Sequence, residues 1–343
     1  MKTSFRFSAK AGYIVLLTII FLTQLSCKGI QSALDPAGPE SGRINNLWWL
    51  LFGVCAVVFI LVITFLFYAL AHARRYKDGA PIGIDAQKKM TRNISICVAI
   101  TVIILFVFLV ASLTIGKSIY TNSSPDVLTI EVVGHQWWWE VHYPTDEASK
   151  RVVTANEIHI PVGQPVRLRL SSGDVIHSFW VPNLQGKMDL IPMHLNSEWI
   201  KADHPGVFRG QCAEFCGHQH AHMSLLVIAE PQDQFNAWMD QQRQSTNTPS
   251  DPVLQRGQHV FLSSTCILCH TIRGTLANGT NAPDLTHLAS RQTIAAGTLP
   301  NNRGYLSGWV VDSQSIKPGN KMPPNHLNPD DLQALLTYLE SLK

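Results

Sequence analysis

Cysteine is scarce in this chain, with only 7 among 343 residues. Four of them form two closely spaced pairs, and two more lie inside long apolar runs, where cysteine behaves as a small buried hydrophobe. Only one is then left over, so the sequence does not encode a disulfide framework. The pairs are Cys212 with Cys216 and Cys266 with Cys269, the apolar cysteines are Cys55 and Cys97, and the remaining one is Cys27.

Charged side chains are also few, at 15% of the residues, and the net charge is only +3. Nucleic-acid binding is therefore not indicated. The charge is unevenly distributed: residues 1–119 carry 12 Lys and Arg against 4 Asp and Glu, residues 120–250 carry 8 against 14, and residues 251–343 carry 7 against 6. The acidic middle part would attract a basic protein partner.

The first 27 residues have the three-part pattern of a secretory signal peptide, in which basic residues precede an apolar stretch over residues 11–25. The sequence Leu25-Ser26-Cys27 that ends this stretch resembles a bacterial lipobox, whose cysteine becomes the acylated N-terminus. We predict cleavage before Cys27. Retention of the segment as a membrane anchor is the alternative.

Two uncharged apolar runs, over residues 47–70 and 94–115, predict transmembrane helices. Each exceeds the roughly 20 residues that cross about 30 Å of hydrocarbon. The loop between them is rich in Lys and Arg, and the positive-inside rule places such a loop in the cytoplasm. Both flanks of the hairpin, including everything after Gly116, are therefore predicted to lie outside.

From residue 127 onward, apolar residues alternate with polar ones, which is the period of two that is typical of β-strands. In one such segment Ile158, Ile160 and Val162 alternate with His159 and Pro161. Turn sequences rich in Gly and Pro separate the segments, and the pattern predicts an antiparallel sandwich or barrel. A helical period first appears at residues 231–244.

The densest set of metal-binding side chains lies between Gln211 and Met223, where two thiols, a thioether and three imidazoles occur. The spacing is Cys-x3-Cys-x3-His-x2-Met. Thiolate and thioether sulfur are soft ligands that favour copper, whereas zinc has little use for methionine. A Cys212–Cys216 disulfide and a Cys2His2 zinc site are the alternatives to a copper site.

A polar, turn-rich stretch over residues 241–252 predicts a linker to a further domain. Beyond it, Cys266-Ile-Leu-Cys269-His270 is the Cys-x-x-Cys-His signature of covalent c-type haem attachment. In this motif the thiols bond to the haem vinyl groups and the histidine binds the iron. The chain ends in a predicted amphipathic helix with Asn328 as its N-cap and Pro329 in its first turn.

The segment Lys321-Met322-Pro323-Pro324, just before that helix, resembles the part of small class I cytochromes c that carries the axial methionine. The resemblance implies that Met322 is the sixth iron ligand, with His326 as the competitor. Ligation by His and Met raises the haem potential. The Pro283 carbonyl is expected to accept a hydrogen bond from the His270 ring, and His287 is expected to lie at the surface.

The loop that carries Cys212 and Cys216 resembles the dinuclear copper (CuA) loop of cytochrome c oxidase subunit II, in which two thiolates bridge two copper ions. Residues 174–180, Asp-Val-Ile-His-Ser-Phe-Trp, resemble the upstream histidine motif of the same family. His218 and His222 then have no assigned role. The resemblance implies copper ligands at His177, Cys212, Glu214 through its carbonyl, Cys216, His220 and Met223.

Residues 134–140, Gly-His-Gln-Trp-Trp-Trp-Glu, resemble a subunit II motif whose first tryptophan is the point where electrons enter, above the copper. The resemblance implies this role for Trp137, and Trp138 stands where the family normally has tyrosine. Three consecutive tryptophans cannot all face one side of a strand, so at least one is exposed or lies in an interface.

In the family, the glutamate side chain between the two cysteines reaches a magnesium or manganese ion that is shared with the catalytic subunit. Hard oxygen ligands suit these ions, so the resemblance implies this role for Glu214. Asp189 matches an interface region of the family and has no ligand role. The chain departs from the family pattern after Pro192, where Met193 and His194 replace an expected glycine.

The chain is thus identified as a member of the subunit II family with a fused C-terminal cytochrome c domain. The implied architecture is a two-helix transmembrane hairpin, a cupredoxin-like Greek-key β-barrel and a small all-α class I cytochrome c domain. The predicted segments are a signal peptide (1–27), an N-terminal segment with the hairpin (28–119), the copper domain (120–240), a linker (241–252) and the cytochrome domain (253–343).

The implied function is electron input to a respiratory haem–copper oxidase of a bacterial cytoplasmic membrane, in which this multi-pass chain holds its copper and haem domains on the periplasmic side. Electrons would pass from an external cytochrome c or quinol–cytochrome c reductase to haem c, CuA and catalytic subunit I, which sits with other membrane subunits. Two short spans show no haem a ligands or proton channel, so oxygen chemistry belongs to that partner. The alternatives are electron input to a membrane nitric oxide reductase and a copper assembly factor.

Overall fold

The computed structural model describes residues 28–73, 83–120, 127–147 and 150–343. The predicted signal peptide with Cys27 and residues 74–82 of the predicted cytoplasmic loop lie outside the described residues. The described residues fall into two compact units, one within Gly42–Ser123 and the other within Met1–Ser41 and Ser124–Lys343.

The smaller unit is a pair of long apolar helices, α1 (Pro39–Ala73) and α2 (Ile84–Tyr120). Both are long and apolar enough to cross a membrane, and they contain the two predicted spans. Helix α2 begins before its span and includes Lys88, Lys89 and Arg92, because such straight-chain residues are good helix formers. Part of the predicted basic loop is therefore helical.

The larger unit contains two five-stranded sheets that share one apolar core. The first sheet has the strand order β3-β2-β1-β5-β8 and the second β4-β10-β9-β6-β7. The strands are β1 (Thr129–His135), β2 (Trp138–Tyr143), β3 (Val152–Ala155), β4 (Glu157–Pro161), β5 (Val166–Ser172), β6 (His177–Trp180), β7 (Met188–Leu190), β8 (Asn196–Ile200), β9 (Gly206–Cys212) and β10 (Ser224–Glu230).

The sheets are mixed, and the expectation of a purely antiparallel arrangement was wrong at two places. Strand β1 pairs in parallel with β5, and β10 pairs in parallel with β4. Parallel neighbouring strands need a long crossover connection. Between β1 and β5 this connection consists of β2 and β3 of the first sheet and β4 of the second. Alternation of apolar residues records which face is buried and carries no information on strand direction.

Strand β4 is buried on both faces, although its sequence alternates. The His159 ring on its outer face stacks on Trp238 of helix α3 (Gln232–Gln242) at a centroid distance of 4.0 Å. The Glu157 carboxylate accepts hydrogen bonds from the backbone N–H groups of Gln292 and Thr293 at 2.7 and 3.2 Å. The outer face of this strand therefore contacts α3 and the C-terminal part of the chain, residues 252–343.

The C-terminal part is mainly helical and has its own apolar core. The Asn328 side chain accepts a hydrogen bond from the Asp331 N–H at 2.8 Å, as the predicted N-cap requires. Its elements are α4 (Pro252–Ser263), β11 (Thr293–Ile294), β12 (Leu299–Pro300), α5 (Arg303–Val311), α6 (Ser313–Ile316) and α7 (Pro329–Ser341).

Gly257 lies where α4 crosses α7, and a Cβ at this position would press against the Ala334 carbonyl and stand 2.6 Å from Tyr338 Cβ. Gly257→Ala should therefore lower the free energy of unfolding of the C-terminal part by about 1–3 kcal/mol, the usual cost of overpacking. Denaturant titration of the purified holoprotein, followed by haem absorbance, would measure the change.

Gly304 in α5 is the matched control, because a Cβ there meets nothing closer than 3.6 Å. Gly304→Ala should be neutral or stabilise the helix by about 0.5–1 kcal/mol. Equal effects of the two substitutions would contradict the close crossing of α4 and α7.

Candidate metal and haem centres

The predicted copper ligands come from three neighbouring strands and the loop between two of them. His177 begins β6, Cys212 ends β9, and the loop that follows Cys212 carries Cys216 and His220 before Met223 leads into β10. Strands β6 and β9 pair antiparallel with Phe179 opposite Cys212, which brings the start of β6 beside the loop. Distant parts of the chain therefore meet at one end of the sandwich.

The donor atoms of these residues converge. Cys212 Sγ lies 3.7 Å from Cys216 Sγ, so the two are not joined as a disulfide. His177 Nδ1 is 3.9 Å from Cys212 Sγ, and His220 Nδ1 is 3.7 Å from Cys216 Sγ. The thioether sulfur of Met223 is 3.9 Å from Cys216 Sγ. Each thiol thus has an imidazole nitrogen beside it.

This arrangement fits a thiolate-bridged copper pair. A metal–thiolate bond is about 2.3 Å long, so two sulfurs 3.7 Å apart can both contact the same ion. The Glu214 carbonyl oxygen adds a donor 3.1 Å from Cys212 Sγ. The Met223 sulfur, fully buried among these donors, favours copper over the alternative of zinc.

The two buried thiols do not ionise independently. The two thiols are hydrogen-bonded to each other, and this bond lowers the pKa of Cys212 well below its usual range. The same bond raises the pKa of Cys216, because a second negative charge beside the first is unfavourable. A bound cation would remove this penalty, which is the behaviour expected of a metal-binding pair.

Asp174 orients the His177 ring. The ring Nε2 lies 2.8 Å from Asp174 Oδ1, which leaves Nδ1 facing Cys212. Burial lowers the pKa of His177, but the hydrogen bonds to Asp174 and Cys212 outweigh it and raise the pKa overall. The other Asp174 oxygen accepts from the Gln136 N–H at 2.7 Å. Position 134 has no room for a side chain, because a Cβ on Gly134 would stand 2.8 Å from the His177 ring.

The side chains around the copper loop differ in exposure. The Glu214 side chain is 43% exposed, and its carboxylate lies 4.0 Å from Lys187 Nζ. His218 and His222 are exposed. Met193, in the segment that departs from the family pattern, is fully exposed with a φ of 62°.

The predicted iron ligands line a cavity with about 970 Å³ of space between the protein atoms, part of which is open to solvent. His270 and Met322 both lie in its wall, whereas the competing ligand His326 does not. Much of the rest of the wall is apolar, as a porphyrin ring requires, and includes Leu285, Leu288, Ile294, Leu306, Val310 and Leu339. Cys266 lies in a short 3₁₀ helix (Thr265–Leu268) and Cys269 at its C-cap, just before His270.

The expected hydrogen bond to the proximal histidine is present: His270 Nδ1 lies 2.8 Å from the Pro283 carbonyl oxygen. Burial lowers the pKa of His270, so the ring is neutral and its Nε2 is the atom free to bind iron. The expectation that His287 lies at the surface was wrong, because it is only 5% exposed. Its Nε2 lies 3.2 Å from the Gln244 carbonyl oxygen.

The three tryptophans have three different environments. Trp139 is in the core of the sandwich, whereas Trp137 and Trp138 line the haem cavity. Trp137 is only 8% exposed, because the C-terminal part covers it. Its Nε1–H donates to the Cys216 carbonyl at 3.0 Å. Trp137 thus contacts the copper loop and also forms part of the haem cavity wall.

Sequence reasoning missed Gln136 and Lys317. Gln136 Nε2 donates to the Cys216 carbonyl at 2.8 Å, and its place inside the tryptophan motif was the available signal. Lys317 Nζ donates to the Trp137 carbonyl at 2.7 Å. Nothing in the sequence around Lys317 indicates that it is buried.

A soft-ligand metal site on a β-sandwich, next to a c-type haem cavity and attached to two apolar helices, defines a membrane-anchored electron-transfer protein. Residues 128–230 match the family model "Cytochrome C oxidase subunit II, periplasmic domain", and residues 254–343 match "Cytochrome c". The chain belongs to the cytochrome c oxidase subunit 2 family, in the form with a C-terminal cytochrome c domain. The predicted family and fold class are thereby confirmed.

The relatives cover nearly the whole chain. Cytochrome c oxidase subunit 2 of Alkalihalophilus pseudofirmus is 37% identical over 336 residues, which are 94% of each chain. The Bacillus subtilis protein of that name is 28% identical over 350 residues, covering 96% of this chain and 97% of the relative. Among solved structures, a similar one is the crystal structure of the periplasmic domain of subunit II of cytochrome oxidase from Bradyrhizobium japonicum. Its sequence is 32% identical to this one, the match covers 34% of this chain and 95% of the Bradyrhizobium chain, and the TM-score is 0.32.

Asp174→Asn should weaken copper binding about 10–100-fold, the usual effect of removing an outer-shell partner of a ligating histidine. The amide can present its N–H₂ group to His177 Nε2, which would favour the tautomer with its proton on Nδ1. Competition titration of the purified protein against a copper chelator would measure the affinity. Asp203→Asn, at an exposed position of the same sandwich, should leave it unchanged. Equal affinity in both variants would contradict the role of Asp174.

Proposed function

We propose that this chain is the electron-input subunit of a membrane haem–copper oxidase, which receives electrons at a C-terminal haem c and passes them through a dinuclear copper centre to a catalytic subunit. The observation that carries the proposal is the position of Trp137. This residue forms part of the haem cavity wall, and its indole donates to the carbonyl of Cys216, a predicted copper ligand.

The two redox groups, when bound, each accept and release single electrons. His270 and Met322 would hold the haem iron, and Cys266 and Cys269 would hold the porphyrin covalently. The coppers would be held by His177, Cys212, Cys216, His220, Met223 and the Glu214 carbonyl. Cys212 and Cys216 are 2% and 3% exposed, so the protein excludes water from the metal, and this exclusion tunes its potential.

A direct connection from the haem cavity to the copper ligands runs through Trp137. It consists of the indole ring, one hydrogen bond of 3.0 Å, and the covalent bonds of Cys216 from its carbonyl to its sulfur. Because the C-terminal part covers Trp137, an external donor has no direct access to this residue. The external donor, such as a cytochrome c or quinol–cytochrome c reductase, would therefore reduce the haem.

The outer side of the membrane is the location that the chain connectivity favours. The segment before α1 is fastened to the sandwich: the Asn183 side chain donates to the Gly29 and Asp35 carbonyls, and Arg209 N–H donates to the Ile30 carbonyl at 2.7 Å. The chain therefore leaves and rejoins one compact unit through two helices. Basic residues at the start of α2 are typical of a cytoplasmic connection, which leaves the sandwich and haem on the periplasmic side.

Association with catalytic subunit I and other membrane subunits follows from this assignment. Apolar side chains are exposed directly beside the copper ligands: Phe215, between the two cysteines, is 76% exposed, and Ile176, next to His177, is 44% exposed. Exposed apolar groups of this kind mark protein interfaces. They suit the face that delivers electrons to the partner.

Trp137→Phe tests the route, because it keeps an aromatic ring and removes the N–H that bonds to Cys216. Electron transfer from haem c to copper should slow by about tenfold or more, because the hydrogen bond that links the ring to Cys216 is lost and the position of the ring is less well fixed. Flash reduction of haem c in the purified complex, followed at haem and copper wavelengths, measures the rate. Wild-type protein in which haem c never reduces copper would refute the proposed function.

Trp238→Phe is the matched control, since Trp238 packs on His159 and does not line the haem cavity. Its transfer rate should equal that of the wild type. A Trp137→Phe rate as fast as this control would rule out Trp137 as the connection.

We further propose that the Glu214 side chain binds a magnesium or manganese ion shared with the catalytic subunit. Its carboxylate is 43% exposed beside the copper site, while its carbonyl points inward to Cys212. Glu214→Gln should abolish the Mn²⁺ electron paramagnetic resonance signal of complex from manganese-grown cells and leave the copper signal, because the carbonyl is unchanged. Glu131→Gln, at an exposed ion pair with Arg169, should keep both signals. A manganese signal that survives in Glu214→Gln would refute this role.

A further inference from the structure

A lysine is buried between the haem cavity and the copper-binding sandwich. Lys317 is only 2% exposed, which is rare for lysine because an ammonium group loses its hydration on burial. Its Nζ donates to two main-chain carbonyls, those of Trp137 at 2.7 Å and Ala295 at 3.1 Å. One partner belongs to the sandwich and the other to the C-terminal part, so Lys317 joins the two.

The residues after Lys317 contact the same region. The Pro318 carbonyl accepts a hydrogen bond of 2.8 Å from the side chain of Gln219, which lies in the loop between the predicted ligands Cys216 and His220. Gly319 lies against the Trp137 ring, and a Cβ there would be 3.7 Å from its Cη2 atom. Residues 317–319 therefore touch the main chain of Trp137, its ring and the copper loop.

Trp137 is consequently held from two directions. Lys317 binds its carbonyl from the cytochrome side, and the Cys216 carbonyl binds its indole N–H on the copper side. Met322, the predicted axial ligand, follows Lys317 by five residues and lines the same cavity. The haem ligand loop and the copper loop are thus connected through one tryptophan and one lysine.

We propose that Lys317 is a positioning residue for electron transfer from haem c to copper, which fixes the Trp137 main chain so that its ring keeps contact with both centres. The proposal rests on the function proposed above. Burial lowers the pKa of Lys317 to about 7. Because a neutral amine still has two N–H donors and there are two carbonyl partners, the connection does not depend on the charge.

Loss of Lys317 should disturb Trp137 without separating the two parts of the chain. Other contacts hold them together: the Ser224 N–H and hydroxyl both donate to the Ala296 carbonyl at 2.9 and 3.0 Å. Glu157 also accepts from two backbone N–H groups of the C-terminal part. A variant at Lys317 is therefore expected to fold and to bind both cofactors.

The test compares Lys317→Met with Lys150→Met in the purified, fully loaded complex. Met fills similar space without a donor, and Lys150 is an exposed lysine of the sandwich that does not line the haem cavity. Flash reduction of haem c should give transfer to copper that is about tenfold slower or more in Lys317→Met and unchanged in Lys150→Met. The redox potentials of both centres and the copper resonance spectrum should match the wild type in both variants.

Three results would overturn the proposal: an unchanged rate in Lys317→Met, equal slowing in Lys150→Met, or slowing explained by a shifted haem potential, which would make Lys317 a partner of the haem itself. Lys317→Arg, which keeps N–H donors, should restore most of the rate. If Lys317→Met loses a cofactor, Lys317→Gln replaces it with the same expectation, because its amide is one bond too short. If the wild-type protein shows no electron transfer from haem c to copper in the same experiment, the proposed function fails. If the wild type transfers electrons and Lys317→Met does so equally fast, only the proposal for Lys317 fails.

Discussion

The structure depends on two buried thiols that are held 3.7 Å apart. Two thiolates at that distance repel each other strongly in a medium of low dielectric constant, so the pair loses one proton easily and the second with difficulty. A cation between them removes the repulsion. The surrounding sandwich, the histidine beside each sulfur and the carboxylate of Asp174 serve to keep this costly arrangement in place before the metal arrives.

The contact between the sandwich and the cytochrome part is polar and buried, which makes it a fixed interface. Glu157, Ser224 and Lys317 each bond to main-chain groups across it. Buried polar groups are costly unless they are paired, so these pairs specify one orientation of the two parts. The segment that joins them also takes part, since the Thr246 N–H donates to the Arg273 carbonyl at 2.9 Å. A fixed interface suits a carrier whose two centres must stay at one separation.

Several features could be predicted from the sequence because short-range chemistry encodes them. The spacing of Cys212, Cys216, His220 and Met223 within one loop limits how far apart their donor atoms can lie. The apolar runs determine the two long helices, since about 20 uncharged residues suit a membrane. The Asn328 cap and the Pro283 partner of His270 follow from local motifs.

The sequence by itself therefore determined the kinds of element, the metal-binding residue types and the family. Only the tertiary structure decided that β1 lies parallel to β5, that β4 is buried on both faces, and that Trp137 is covered while Lys317 is inside. Each of these depends on contacts between residues far apart in the chain, such as the 180 positions that separate Trp137 from Lys317. Local periodicity cannot encode them, because it records only the side of its own strand or helix that avoids water.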